Sequence, residues 1–142
     1  MMPRLFSRAL RLALAVAALA LNACAEPEAA LQEQSRLAAP GGRVEAVLAA
    51  IGGDATTGQA VELHLLPTGE RRYAAPSLRA DKVAGLRLHW RDAHTLVVSC
   101  DAARIFAFSN FWQSASVDNF HYTVALELDG CRYPAAPDKD KS

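Results

Sequence analysis

The side chains able to do chemistry are few and scattered. Cys24, Cys100 and Cys131 are the three cysteines. A thiol can carry an acyl group, attack an electrophile or pair into a disulfide. Cys100 lies in a β-branched run with no basic cluster to activate it. The four histidines, His64, His89, His94 and His121, match no zinc spacing, and none sits in an H-E-x-x-H pattern. The alternation around them places His64, His89 and His121 on outward faces, as solvated imidazoles. His89, His94 and Asp101 could converge around a hairpin, but nothing there marks a nucleophile paired with a base. Ser99 and Ser109 lack a G-x-S-x-G context. No catalytic residue, metal site or cofactor is therefore assigned, and an enzyme is not expected.

Two groups could bind rather than react. Asp54, Thr56 and Thr57 sit among glycines in Gly52-Gly53-Asp54-Ala55-Thr56-Thr57-Gly58. Their oxygens can hold a ligand, or satisfy their own backbone in Asx- and ST-turns. The carboxylates are too few for a calcium loop. The second group is the aromatic set Phe106, Phe108, Phe111, Trp112 and Phe120, interleaved with Asn110, Gln113, Ser114 and Ser116. Aromatic area beside amides and hydroxyls suits a glycan or peptide groove. The same residues could close a core and form the loop beside it. Asn110, Phe111, Trp112 and Gln113 are the binding candidates. On a strand, Phe111 and Trp112 face opposite ways, leaving one outside.

The start of the chain speaks about address. Arg4, Arg8 and Arg11 precede the apolar run Leu12–Leu21, followed by Asn22-Ala23-Cys24-Ala25. A charged region, an apolar region and a small-residue zone make a secretory signal peptide. Leu21-Asn22-Ala23-Cys24 resembles a bacterial lipobox, with Cys24 as the lipid-attachment residue. Ala23-Cys24-Ala25 also reads as an A-x-A site, with cleavage before Glu26. The run is shorter than the roughly 20 residues of a comfortable membrane span. Ala25 stands where enteric lipoproteins retained at the inner membrane carry Asp, so the resemblance implies the periplasmic face of the outer membrane.

Lipidation of Cys24 accounts for the odd cysteine number, leaving Cys100 and Cys131 as an even pair in an oxidising compartment. A bond between them is expected; two reduced, buried thiols are the alternative. The chain holds 15 basic and 15 acidic residues. Loss of the three leader arginines turns that balance mildly acidic. With no basic stripe, nucleic-acid binding gets no support.

These groups need elements to position them. After residue 43 the dominant period is two: Val61-Leu63-Leu65, Leu86-Leu88-Trp90 and Phe120-Tyr122-Val124-Leu126-Leu128 alternate with polar neighbours. Val44–Ile51, Thr95–Cys100 and Arg104–Phe108 read as further strands. Arg91-Asp92-Ala93-His94 predicts a hairpin between Leu86–Trp90 and Thr95–Cys100. Asp129-Gly130 is expected to end the last strand. Residues 1–23 are the leader, 24–42 a flexible tether with weak helical character over Pro27–Leu37, 43–133 the folded unit and 134–142 a disordered tail. The fold expected is mainly β: an antiparallel meander sheet or small sandwich of about six strands. A unit this small buries only about 60–65% of its unfolded surface, so a disulfide would matter.

The loop Asp54-Ala55-Thr56-Thr57-Gly58, Leu66-Pro67-Thr68-Gly69, Ala80–Trp90, Asp101–Phe106 and Asn110-Phe111-Trp112-Gln113 together resemble uncharacterised bacterial lipoproteins of the DUF5412-like type. These share a Gly-Ala-Thr-Thr-type loop, with Asp54 here in place of the glycine. The similar ground covers most of residues 43–128. The resemblance implies a membrane-tethered β domain and brings no activity or catalytic residues. The function expected is a non-catalytic binding or structural lipoprotein of the envelope, facing an envelope protein or cell-wall glycan. An immunity-type or inhibitor protein against an envelope-acting toxin or hydrolase is the alternative.

Overall fold

The structure is a computed structural model that describes residues 31–52 and 59–134. Eight strands form one mostly antiparallel sheet: β1 (Leu31–Ala38), β2 (Val44–Ile51), β3 (Ala60–Pro67), β4 (Leu78–Ala84), β5 (Arg87–Asp92), β6 (Thr95–Phe108), β7 (Phe111–Trp112) and β8 (Val124–Arg132). Their order is β1-β2-β3-β4-β6-β8-β7, with β5 also on β6. The expected antiparallel β architecture is present, as a single sheet not closed into a barrel.

Several expected boundaries move. Residues 31–38, read as tether with helical character, form edge strand β1 against β2. Most of this strand is solvated, so it lacks an apolar stripe; its ladder to β2 fixes it instead. The two runs Thr95–Cys100 and Arg104–Phe108 are one strand, β6. The segment Leu78–Ala84, carrying Arg79, Asp81 and Lys82, forms β4. Phe120 and Tyr122 precede β8 rather than begin it; Asp118–Phe120 is instead a short 3₁₀ turn. Gly130 does not end β8, because its φ of 79° lets the strand pass on to Arg132.

The hairpin at Ala93-His94 is present, with Asp92 paired to Thr95. The Asp92 carboxylate accepts the His94 backbone N–H at 2.7 Å, an Asx-type stabilisation of the turn. β4 and β5 are two halves of one arm, since both run antiparallel to β6. They meet at Gly85-Leu86. Gly85 has φ +66°, and a Cβ there would lie 2.1 Å from an Asp101 carboxylate oxygen. The left-handed φ favours glycine at that bend, and any side chain there would also have to displace Asp101.

β6 cannot be straight. The N–H of Ala125 donates to the His94 carbonyl at 2.7 Å, and that of Leu126 to Asn110 at 2.8 Å. Residues just outside the two ends of β6 therefore meet adjacent positions of β8. A straight strand of this length would separate its ends by about 40–45 Å. Register shifts in the β4–β6 ladder, between Arg79 and Ala80 and between Asp81 and Ala84, supply the bending.

The coiled sheet encloses one core. Val44, Ala46, Leu63, Leu65, Leu78, Leu96, Val98, Val124 and Leu126 are buried in it. Each fully buried leucine contributes roughly 2 kcal/mol relative to exposure. β8 lies parallel to β6, pairing Cys100 opposite Gly130. Cys100 and Cys131 are disulfide-bonded, with Cα atoms 4.5 Å apart.

Candidate functional site

β3 is buried along six consecutive residues, Val61 to Leu66. Val61, Leu63 and Leu65 belong to the core. Glu62, His64 and Leu66 point the other way, where alternation alone predicts solvent. The β3–β4 connection, residues 68–77, folds back and covers them. His64 is 2% exposed, which corrects its reading as a surface histidine. Its Nδ1 lies 2.9 Å from the Ala74 carbonyl and its Nε2 3.0 Å from Glu62 Oε2. Each ring nitrogen of His64 thus faces a hydrogen-bond acceptor. The other Glu62 oxygen pairs with Arg79 Nε at 3.0 Å.

The same connection carries Tyr73. Its ring centroid lies 4.9 Å from that of His64, and its hydroxyl donates to Glu33 at 3.0 Å. Glu33 is in turn bonded to Arg36, which also reaches Glu45 at 2.6 Å. Arg36 holds the Glu33 carboxyl below its ordinary range, with Tyr73 adding to the effect. Partial burial, then the Glu33 contact, raises the Tyr73 phenol above its ordinary value. At neutral pH the contact is thus a phenol donating to a carboxylate.

Tyr73 and Trp112 line a common cleft. On β7, Trp112 pairs with Val124 and Phe111 with Ala125. Val124 is a core residue, so Trp112 turns inward and is half-buried, while Phe111 is 55% exposed. The opposition expected of neighbours on a strand is present.

This cleft, of about 330 Å³, is also lined by Leu65, Leu66, Pro67 and Ala74. Its rim carries Glu70, Arg72, Gln113, Ser114 and Ser116. Gln113 is anchored, its amide donating to Thr123 Oγ1 at 2.8 Å. Backbone N–H groups of Arg72 and Arg71 hold the Glu70 carboxyl below its ordinary range. The Ser114 carbonyl accepts from Val117 and Phe120, tying the rim to a left-handed turn in which Asp118, Asn119 and Phe120 all have positive φ. Two fixed aromatic walls and a rim of both charges can hold a sugar or a peptide side chain by stacking and hydrogen bonds.

The structure thus brings Trp112 and Gln113 into one cleft. Asn110 is exposed, and its carbonyl is used in the β8 ladder. Phe111 lies outside the cleft lining. Cys24, Asp54, Thr56 and Thr57 lie outside the described residues. Phe106 and Phe120 are exposed, and Phe108 packs on the core. Sequence reasoning missed Tyr73, Arg72 and Glu70; the signal was a tyrosine inside a polar connection, without periodicity to place it.

His89, His94 and Asp101 are not joined by any hydrogen bond. The His94 Nδ1 donates to the Thr123 carbonyl at 2.8 Å, while Asp101 faces Arg87 at 3.6 Å. Among the described residues no group of three or more His, Cys, Asp or Glu side chains is placed to hold a metal ion. Comparison of the chain with protein-family models, curated proteins and solved structures gives no match.

Proposed function

We propose that this chain is a non-catalytic binding module of the bacterial envelope, tethered to a membrane by a lipid on Cys24, which engages cell-wall glycan at the Tyr73–Trp112 cleft. The leader pattern and the lipobox-like Leu21–Cys24 support the address. The observation that carries the binding role is the cleft itself. Its two aromatic walls are held before any ligand arrives, Tyr73 by Glu33 and His64 and Trp112 by the core. Preorganised aromatic walls lose little entropy on binding, which is what a shallow site needs.

Two experiments test this reading. Expressed with its own leader, the chain should partition with membranes as a triacylated protein beginning at Cys24, and Cys24→Ser should abolish this. A soluble product beginning at Glu26 would refute the tether. Purified protein should sediment with peptidoglycan sacculi, and both Tyr73→Ala and Trp112→Ala should weaken this about tenfold. Sedimentation unchanged by either substitution would refute the cleft.

An inhibitor or immunity-type role is the second reading. Phe106, Phe111 and Phe120, each more than half exposed, favour it, because a protein partner would cover them. A stable complex with a co-encoded hydrolase, lost in Phe111→Ala, would select it over the glycan reading.

A further inference from the structure

A second cavity, of about 470 Å³, shares no residue with the cleft. Four aliphatic side chains line it: Leu48, Val61, Val83 and Leu86. All four belong to the core or pack against it, so the cavity opens on the flank of the core. Gln34, Gln59 and Lys82 supply its polar lining. Its volume lies within the range of small-molecule sites, roughly 300–1,000 Å³.

Two strand irregularities converge on this cavity. Gln34 has no partner in the β1–β2 register, which shifts between Glu33 and Ser35. Lys82 and Val83 together oppose β6 where the β4–β6 register shifts between Asp81 and Ala84. A bulge re-aims the side chain of its extra residue and is over-represented beside binding sites. Lys82 also has φ +49°, a left-handed conformation that costs a non-glycine residue energy. Such strain is held in place by its surroundings and gathers at functional positions.

The ammonium group of Lys82 is available. It makes no ion pair among the described residues; the adjacent Asp81 carboxylate is engaged by Arg104, one bond being 2.8 Å from Nε. A cavity lined about equally by aliphatic and polar surface, with one uncommitted cation and two glutamines among its lining residues, complements a ligand with an alkyl part and one anionic end. We propose that this cavity binds an alkyl carboxylate, with its chain against Leu48, Val61, Val83 and Leu86 and its carboxylate on Lys82 and the Gln34 and Gln59 amides.

The test is calorimetric titration of the full chain with sodium decanoate below its micellar concentration, with decanol as the uncharged control. Decanoate should bind saturably. Lys82→Gln should weaken it about tenfold or more, the loss expected for one charge-assisted contact. Lys82→Arg keeps the charge at the same backbone position and should restore most of the affinity, which separates loss of the ammonium from loss of the fold. Decanol should bind wild type and Lys82→Gln alike. Absence of saturable binding, equal binding of decanoate to wild type and Lys82→Gln, or failure of Lys82→Arg to restore it would each overturn the proposal. Lys82-dependent binding to phosphatidylglycerol vesicles without binding of free decanoate would assign the lysine to a bilayer surface instead, and also overturn it.

Discussion

The indole N–H of Trp90 donates to the backbone carbonyl of Leu37 at 3.1 Å. Trp90 lies on β5 and Leu37 on β1, and no ladder joins these strands; β2 and β3 intervene between β1 and the β4–β5 arm. The sheet has therefore curled until its β1 edge meets β5 through one side chain. Trp90→Phe keeps most of the apolar volume and removes the donor. It should cost about 1–2 kcal/mol in urea unfolding. Trp90→Ala should cost about 3–5 kcal/mol, because a cavity opens as well. A Trp90→Phe variant as stable as wild type would show that the contact does not hold the curl.

The Cys100–Cys131 bond joins β6 to its parallel neighbour β8 across a sequence separation of 31. The double substitution to serine should lower stability by about 2–5 kcal/mol under non-reducing conditions. Reduction of the wild type with excess dithiothreitol should reproduce the loss; equal unfolding midpoints before and after reduction would contradict it.

Gly130 faces Cys100 across that pairing, and a Cβ on it would meet the Cys100 carbonyl oxygen at 2.5 Å. Its φ is +79°, so Gly130→Ala incurs both the left-handed penalty and a backbone clash. A loss of about 2 kcal/mol or more is expected. Gly52→Ala, where a Cβ meets nothing within 4 Å, is the control and should stay within about 0.5 kcal/mol of wild type.

His64→Leu should free the connection 68–77. It removes the bond to Ala74 and the packing on Tyr73, and leaves Glu62 with Arg79 alone. The cost should be about 2–4 kcal/mol, below a complete pair disruption because Arg79 remains. Trypsin should then cut after Arg71 or Arg72 faster than in the wild type. Unchanged cleavage there would mean that His64 does not hold the cleft wall.

Acid should weaken the fold through Asp81 and Glu33. Arg104 holds the Asp81 carboxyl, and Arg36 the Glu33 carboxyl, below their ordinary values of 3.8 and 4.5. A carboxyl depressed in the folded state contributes stability above its unfolded value and loses it as pH falls through the folded one. Stability should therefore decline below about pH 4. Asp81→Asn should be less stable at pH 7 and show a shallower acid decline, read by thermal unfolding across pH. Parallel profiles for variant and wild type would exclude Asp81 as a contributor.

The period of two along Val61–Leu65, Leu86–Trp90 and Val124–Leu128 was enough to determine a β architecture, because inward residues must be apolar wherever one face of a strand is buried. The hairpin at Ala93-His94 was legible for a similar local reason: its polar turn separates two strand patterns. The opposition of Phe111 and Trp112 followed from strand geometry alone. Tertiary structure decided the rest. β1 carries almost no apolar signal, since an edge strand is held by backbone bonds to β2 that any sequence can make. His64 occupies an outward position, and only the return of residues 68–77 buries it. Trp112 and Tyr73 become two walls of one cleft only because the sheet curls and β6 bends at its bulges. Bulges and curl arise from register between strands far apart in the chain, a relation that no local pattern encodes.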